Sequence, residues 1–393
     1  MKENRVRYFE GLRAIMAFFV VATHFLCVYY PIVRYPGYAA GYESPWRIFA
    51  KTPLFILLNA DVALGFFFAT TGYMVGRSVF RKAPGSIGPE TVYRKLVARY
   101  LKFLPVVAIA CIFTHLTMVL GLQHHLLITN TLVNRRLLEQ YCNFKPTLRT
   151  LLLNIFVRPF LKSCDYVGPL WTIRYEMWNY VLAFLAALVL QKVPMRRLWY
   201  VVTAYFMARY LAPYYAIGML GVLLADLQYN EEKTLLGKYY ERVLEKRWFH
   251  IVCLIISVYF CAVPNYPESV YYAFWYKIPA LSDEILRGIG MTLFLFALAN
   301  LVTLQKILSW KPLVSAGSIS LEVYAIHWPL MMSLEAGLFR VFETRMSYNI
   351  ATFLAFLLTL PVIYGLAYLL SRGIKKGNDF LSKRKETKAV QGA

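Results

Sequence analysis

Charge is scarce in this chain of 393 residues: 16% of the side chains are Asp, Glu, Lys or Arg, and only 21 are acidic against 43 basic. With 59% hydrophobic and 17% aromatic residues, and a mean hydropathy of +0.48, it has too little polar surface to coat a soluble globule of this length. The shortage excludes a soluble protein and calls for a polytopic membrane one. The six cysteines (Cys27, Cys111, Cys142, Cys164, Cys253, Cys261) include no CxxC pair and no spacing with His that would hold an ion, so no metal is expected. No small-residue cleavage site follows the basic start MKENRVR, so the first apolar run reads as a retained span rather than a signal peptide. Internal repeats and low-complexity segments are absent as well.

Basic charge is what the chain does have, a net +22. It clusters in short connections between apolar runs, as in inward-facing membrane loops, and no nucleic-acid partner is expected. A cytoplasmic N-terminus then gives spans at residues 8–30, 53–76, 98–121 and 168–190, with outer loops at 31–51 and 122–167. The stretch 198–228 is long for one span and short for two. Two helices breaking near Arg209 and Pro213 keep the parity, because proline ends helices and broken helices are tolerated where they line a cavity. Further spans at 248–263, 285–304, 314–339 and 349–370 complete an all-α bundle of about ten helices over residues 1–372, with a basic cytoplasmic tail at 373–393.

The first span carries Arg13 and His24 on one stripe. Eleven helical steps of about 100° leave an offset of about 20° and a separation of roughly 16 Å along the axis. An intramembrane Arg costs about 2.5 to 3.5 kcal/mol on insertion scales, which points to function rather than anchoring. Arg99 and Lys102, three apart, share a helix face at the inner mouth, and Thr172, Glu176 and Asn179 make a polar stripe on the fourth span. Ser320, Tyr324 and His327 fall within about 60° of one another.

These residues sit in segments that resemble the acyltransferase 3 family of integral-membrane acyltransferases. Glu10-Gly11-Leu12-Arg13, followed after ten residues by His24, is similar to the family's opening signature. Phe67-Phe68 with Thr71-Gly72-Tyr73 resembles its Phe-Phe, two residues, Ser-Gly-Phe segment; Gly65 stands where the family commonly has Asp, and Asp61 lies one turn earlier. Arg99, Lys102 and Pro105 resemble its Arg, two residues, Arg, two residues, Pro pattern. Leu170-Trp171-Thr172 with Glu176 resembles its Leu-Trp-Ser…Glu segment, Arg209 with Pro213-Tyr214-Tyr215 and Gly218 its Arg…Pro-Tyr-Phe…Gly segment, and Tyr324 to Pro329 its Tyr-Leu-Leu-His-Trp-Pro run.

The resemblance implies an O-acyltransferase that moves an acyl group, acetyl in the simplest case, from cytoplasmic acyl-CoA to a hydroxyl of a carbohydrate or related acceptor on the outer side. It implies His24 as base, with Arg13 and Glu176 completing the catalytic set. Arg99, Lys102 and Arg209 are then the donor-binding cations, and Glu10, Trp171, Thr172, Tyr324 and His327 the substrate-binding groups. The expected partners are the lipid bilayer, acyl-CoA and the acceptor, in a bacterial inner membrane with both termini cytoplasmic. From the residues alone, Arg99 and Lys102 serve equally as a flank reaching lipid phosphate. Glu176 needs a cationic partner, for which Arg13 or Arg209 would serve, and either acts in the chemistry or only fixes packing. Cys27, three residues after His24, is an alternative covalent acyl carrier. Cys142 and Cys164 share one outer loop as a candidate disulfide, and His124 and His125 are expected in solvent at its start. A proton-coupled transporter using the Arg, His and Glu set as a relay is the rival reading, although no matching pair of broken helices in two halves supports it.

Overall fold

The computed structural model describes residues 7–34, 46–83, 85–229, 246–265, 269–278 and 281–391, with side chains of the last helix described to Gly377. Most of the first outer loop and of the connection after residue 229 lies outside the described residues. What is described is all-α. The main helices are α1 (Arg7–Tyr29), α2 (Asp61–Phe80), α3 (Pro89–Val119), α4 (Thr172–Leu190), α5 (Arg196–Tyr210), α6 (Pro213–Tyr229), α7 (Arg247–Cys261), α8 (Asp283–Asn300), α9 (Ser320–Leu330) and α10 (Tyr348–Gln391). Each expected span meets one of them.

Among the described residues, four segments are long and apolar enough to cross a bilayer unaided: Arg7–Tyr29, Pro89–Val119, Gly168–Leu190 and Tyr348–Gly377. Exposed surface on other helices is apolar too, with Ile251 and Ile255 on α7 and Val201 and Phe206 on α5. Apolar side chains facing outward at this density belong in lipid. The protein is a multi-pass membrane protein.

Three expected spans are interrupted, each for a local reason. The segment expected from 53 opens as a 3-10 turn, Pro53–Leu58, and the helix starts only at Asp61, whose backbone N–H is held by Asn59 Oδ1 at 2.9 Å. The span expected at 285–304 bends by 101° after Asn300, before a short helix Val302–Leu308. There the Gln305 amide donates to the Leu298 and Ala299 carbonyls at 2.9 Å each, satisfying groups the end of α8 leaves open. The span expected at 314–339 consists of a short helix Lys311–Gly317, then α9, a π-helical turn Met331–Glu335 and a last helix Ala336–Glu343. The break between α5 and α6 falls at Leu211 and Ala212, where Pro213 opens the second helix, as expected.

α1 runs through the middle, with buried residues on all its faces, including Leu12, Ala17, Val21 and Val28. α2 lies against α6 with almost no side chain between them: a Cβ on Gly72 would sit 1.8 Å from the Gly218 carbonyl oxygen, and one on Gly221 would sit 2.0 Å from the Ala69 carbonyl oxygen. Small residues permit this approach, which drives helix association where lipid removes the hydrophobic incentive. Ion pairs mark the two ends of the bundle. Arg34 just beyond α1 and Arg287 of α8 both reach Asp61 at the start of α2, while at the other end Arg196 and Arg197 at the start of α5 reach the fully buried Asp226 of α6. The segment expected as an outer loop at 122–167 is a folded cap at the Asp61 end. Its short helices bring Val133, Leu138, Ile155 and Phe160 into one core with Val107 and Ala110 of α3.

Gly72→Leu is expected to destabilise the protein by about 3 kcal/mol or to prevent assembly, because the overpacked side chain meets backbone rather than a movable group. Melting midpoint and monodisperse yield in detergent read this out. Gly365→Leu on α10, where a Cβ meets nothing within 4 Å, is expected to change neither.

Candidate active site

α1 presents His24 five residues before its end, and α9 presents His327 opposite. His327 Nε2 lies 2.9 Å from His24 Nδ1, and His327 Nδ1 lies 2.7 Å from the Tyr324 carbonyl oxygen and 3.2 Å from that of Val323. A carbonyl only accepts, so Nδ1 of His327 carries its hydrogen. In the neutral ring Nε2 is then a lone pair, and Nδ1–H of His24 donates to it. The consequence is a fixed tautomer: Nε2 of His24 is the unprotonated nitrogen. Trp328 closes on the His24 ring edge-on, with centroids 5.4 Å apart.

His24 is half-buried because its ring forms one wall of a cavity of about 180 Å³. Trp171, Thr172, Tyr324, Cys27, Arg34 and Asp61 stand on the other walls. The 3-10 turn Gly168–Trp171 delivers Trp171, and α4 then starts at Thr172, whose hydroxyl is 2.6 Å from the Tyr324 hydroxyl. Tyr324 in turn donates to the Pro169 carbonyl, which ties α9 to the entrance of α4. Two elements of the cap, at Leu137 and Tyr141, complete the enclosure.

On the cap side, Arg34 grips both oxygens of Asp61 at 2.9 and 2.7 Å, and Arg287 adds a third contact at 2.8 Å. Arg287 is 1% exposed and spends its remaining donors on the Val263 carbonyl at 2.9 Å, on Asp283 at 2.6 Å and on Asn265. On the other side, one turn deeper than Thr172, Glu176 pairs with Arg99 at 2.9 Å and accepts from the Thr71 hydroxyl at 2.8 Å. The Arg99 guanidinium is packed on the rings of Phe103 and Tyr180, at 4.8 and 5.0 Å.

A family model described as an acyltransferase domain matches residues 6–231 and 234–372, nearly the whole chain. The chain belongs to the acyltransferase 3 family. No curated protein and no solved structure matches it.

In this acyltransferase 3 protein the expected site residues fall into three groups. His24, His327, Trp171, Thr172 and Tyr324 gather at the cavity. Glu176 and Arg99 meet each other below it; Arg99, rather than Arg13 or Arg209, neutralises the carboxylate, because α3 and α4 carry the two side chains to the same depth. The remainder lie away from it. Arg13 pairs with Glu10 at 3.1 Å near the start of α1, Lys102 is exposed on α3, and Arg209 is exposed with its guanidinium over the Tyr210 ring at 5.3 Å. Among the residues the sequence reasoning passed over are Arg34 and Arg287. Arg287 had a readable signal, a charge inside an apolar run; Arg34 sits in a connection and had none.

Two further expectations are corrected. Cys142 and Cys164 are not paired with each other: the Cys142 thiol donates to the Tyr166 carbonyl at 3.3 Å, and the sulfur 3.8 Å from Cys164 is that of Cys111. His125 is not solvated but 2% exposed, wedged between the carbonyls of Met332 and Tyr141 at 3.1 and 3.3 Å, because the cap folds onto the π-helical turn.

Arg287→Leu is expected to cost about 2 to 3 kcal/mol of stability, since it leaves the partly buried Asp61 with Arg34 alone and Asp283 without its cation. Folded yield and melting midpoint in detergent measure it. Arg94→Ala, in an ion pair 3.9 Å long and largely solvent-exposed, is expected to leave the midpoint unchanged.

Proposed function

We propose that this protein transfers an acyl group, acetyl in the simplest case, from cytoplasmic acyl-CoA to a hydroxyl of a carbohydrate or related acceptor on the outer side of a bacterial inner membrane. The observation that carries the reading is the oriented His24 ring, with Nδ1–H committed to His327 and the lone pair of Nε2 left for chemistry at a cavity wall. A neutral imidazole held in one tautomer by a second group is the arrangement a general base needs.

The acceptor hydroxyl gives its proton to His24 Nε2 while its oxygen attacks the thioester carbonyl carbon. The developing oxyanion meets positive potential from Arg34, the cation on the cavity wall. Collapse breaks the carbon–sulfur bond, and the imidazolium returns the proton to the departing thiolate. His327 does not touch the reactants in this scheme: it sits behind His24, fixes the ring and stabilises its charged form through the Tyr324 carbonyl. Arg13, roughly 16 Å along α1 from His24, is too distant to contact the reacting carbonyl. Its place near the inner end suits the phosphate-bearing part of the donor, together with Lys102. Glu176 holds Arg99 in place rather than acting on the acceptor.

Cys27 also lines the cavity, one turn beyond His24, which keeps a covalent thioester route in view. Direct transfer and the covalent route predict different outcomes for one substitution. His24→Ala is expected to reduce transfer by about 10³-fold or more and His327→Ala by about 10²-fold, whereas Cys27→Ser stays within a few-fold of the parent. Mass spectrometry of surface glycans from cells lacking the protein and complemented with each variant counts the acyl groups restored. Full restoration by His24→Ala would sink the assignment of the base, and none with Cys27→Ser would establish the covalent route.

A further inference from the structure

Outside the cavity, the described residues include a set of three enclosed thiols where the cap meets α3. Cys111, on α3 and 0% exposed, has its sulfur 3.8 Å from that of Cys164, which lies in the segment leading to α4. The positions of both are held by the cap helix Leu148–Phe156. The Cys111 thiol reaches the Asn154 carbonyl at 3.4 Å, and the Asn154 side-chain oxygen accepts the Asp165 amide, next to Cys164, at 2.8 Å. Cys142 is turned elsewhere. Its backbone takes φ +57, in the left-handed region that non-glycine residues seldom adopt, and its thiol donates to the Tyr166 carbonyl at 3.3 Å.

The thiols also differ in reactivity. Burial pushes Cys164 up, but donation from the Cys111 thiol and from the Val167 and Tyr166 amides outweighs it, and the net direction is down. Burial pushes Cys142 up to about 12. Once the cap is docked, Cys164 has the Cys111 sulfur beside it, whereas Cys142 turns its thiol to the Tyr166 carbonyl.

We propose that Cys111 and Cys164 are joined as a disulfide in the mature protein, fastening the cap to α3, and that Cys142 remains a thiol. The oxidant is a disulfide, carried either by a small dithiol or by a thiol–disulfide oxidoreductase. The Cys164 thiolate attacks one of its sulfurs and releases the first thiol; Cys111 gives up its proton, displaces the second thiol and closes the new bond. Two electrons and two protons thus pass to the oxidant. Exchange takes place as the cap docks, before the sulfurs are enclosed. The bond spans 53 positions of sequence that include Leu137 and Tyr141, two walls of the cavity. The proposal rests on the outward placement of the cap in the function proposed above, because only an oxidising compartment sustains such a bond.

The test is thiol alkylation of whole cells with N-ethylmaleimide, followed by non-reducing digestion and mass spectrometry of the full-length protein. A peptide linked through Cys111 and Cys164, lost in Cys111→Ser and in Cys164→Ser but retained in Cys142→Ser, is the expected result. Purified, reduced protein is then treated with oxidised glutathione. Thiols that are free in cells yet linked by glutathione would overturn the outward placement of the cap while upholding the pairing. Absence of the link in both settings, or a link made through Cys142, would overturn the pairing itself.

Discussion

The carboxylate of Asp61 holds together the end of this bundle that carries the His24 cavity. It opens α2, and it is bound from one side by Arg34, which follows α1, and from the other by Arg287 of α8. Three helix ends that approach from different parts of the chain therefore converge on one anion. Charges in low dielectric attract strongly, but removing them from water is costly, and such clusters seldom stabilise a fold more than apolar packing would. Their usefulness lies in geometry. With both Asp61 oxygens gripped, the wall of the cavity opposite His24 has a set position, and Thr23, one residue before His24, accepts the Ala60 amide at 3.1 Å from the residue before Asp61. His24 and the charged wall are thus referred to one another through adjacent residues on two helices.

Other polar groups of the interior are held in the same way, since lipid offers them no partner. Glu176 has Arg99 and Thr71, Asp226 has Arg196 and Arg197, Asn179 donates to the Phe68 carbonyl at 3.1 Å, and His24 has His327. Each of these contacts joins different helices or different turns of the broken α5–α6 pair, so the polar network doubles as the register of the bundle. Gly72, Gly218 and Gly221 make that register possible by letting backbones approach where a Cβ would collide.

How much of this was legible in the sequence follows from the range of each interaction. Spans, the break before Pro213 and the His24, Thr172, Tyr324 and His327 positions were readable because each rests on local spacing or on a short motif. The partners were not. Arg99 and Glu176 are 77 residues apart, and Arg287 and Asp61 are 226 apart; nothing within a span states which cation of several will lie at the depth of a given carboxylate. That is why Arg13 and Arg209 were reasonable choices for Glu176 and were still incorrect. The cap was misread for a related cause. Residues 122–167 look like a connection by length and polarity, yet their scattered apolar side chains share a core with Val107 of α3, Val28 of α1 and Trp328 of α9, residues far away in sequence.

The order of groups along α1 bears on the function proposed above, in which one helix serves substrates from two compartments. Arg13 with Glu10 lies near its start and His24 near its end, so in that proposal a donor held at the first extends its acyl-bearing arm along the stripe between them. A cavity of about 180 Å³ beside His24 has room for a small acyl group and a hydroxyl-bearing portion of an acceptor. In that proposal His24 is the point at which the two routes meet, and its tautomer, set from behind by a carbonyl on α9, leaves its basic nitrogen for a hydroxyl arriving from the cap side.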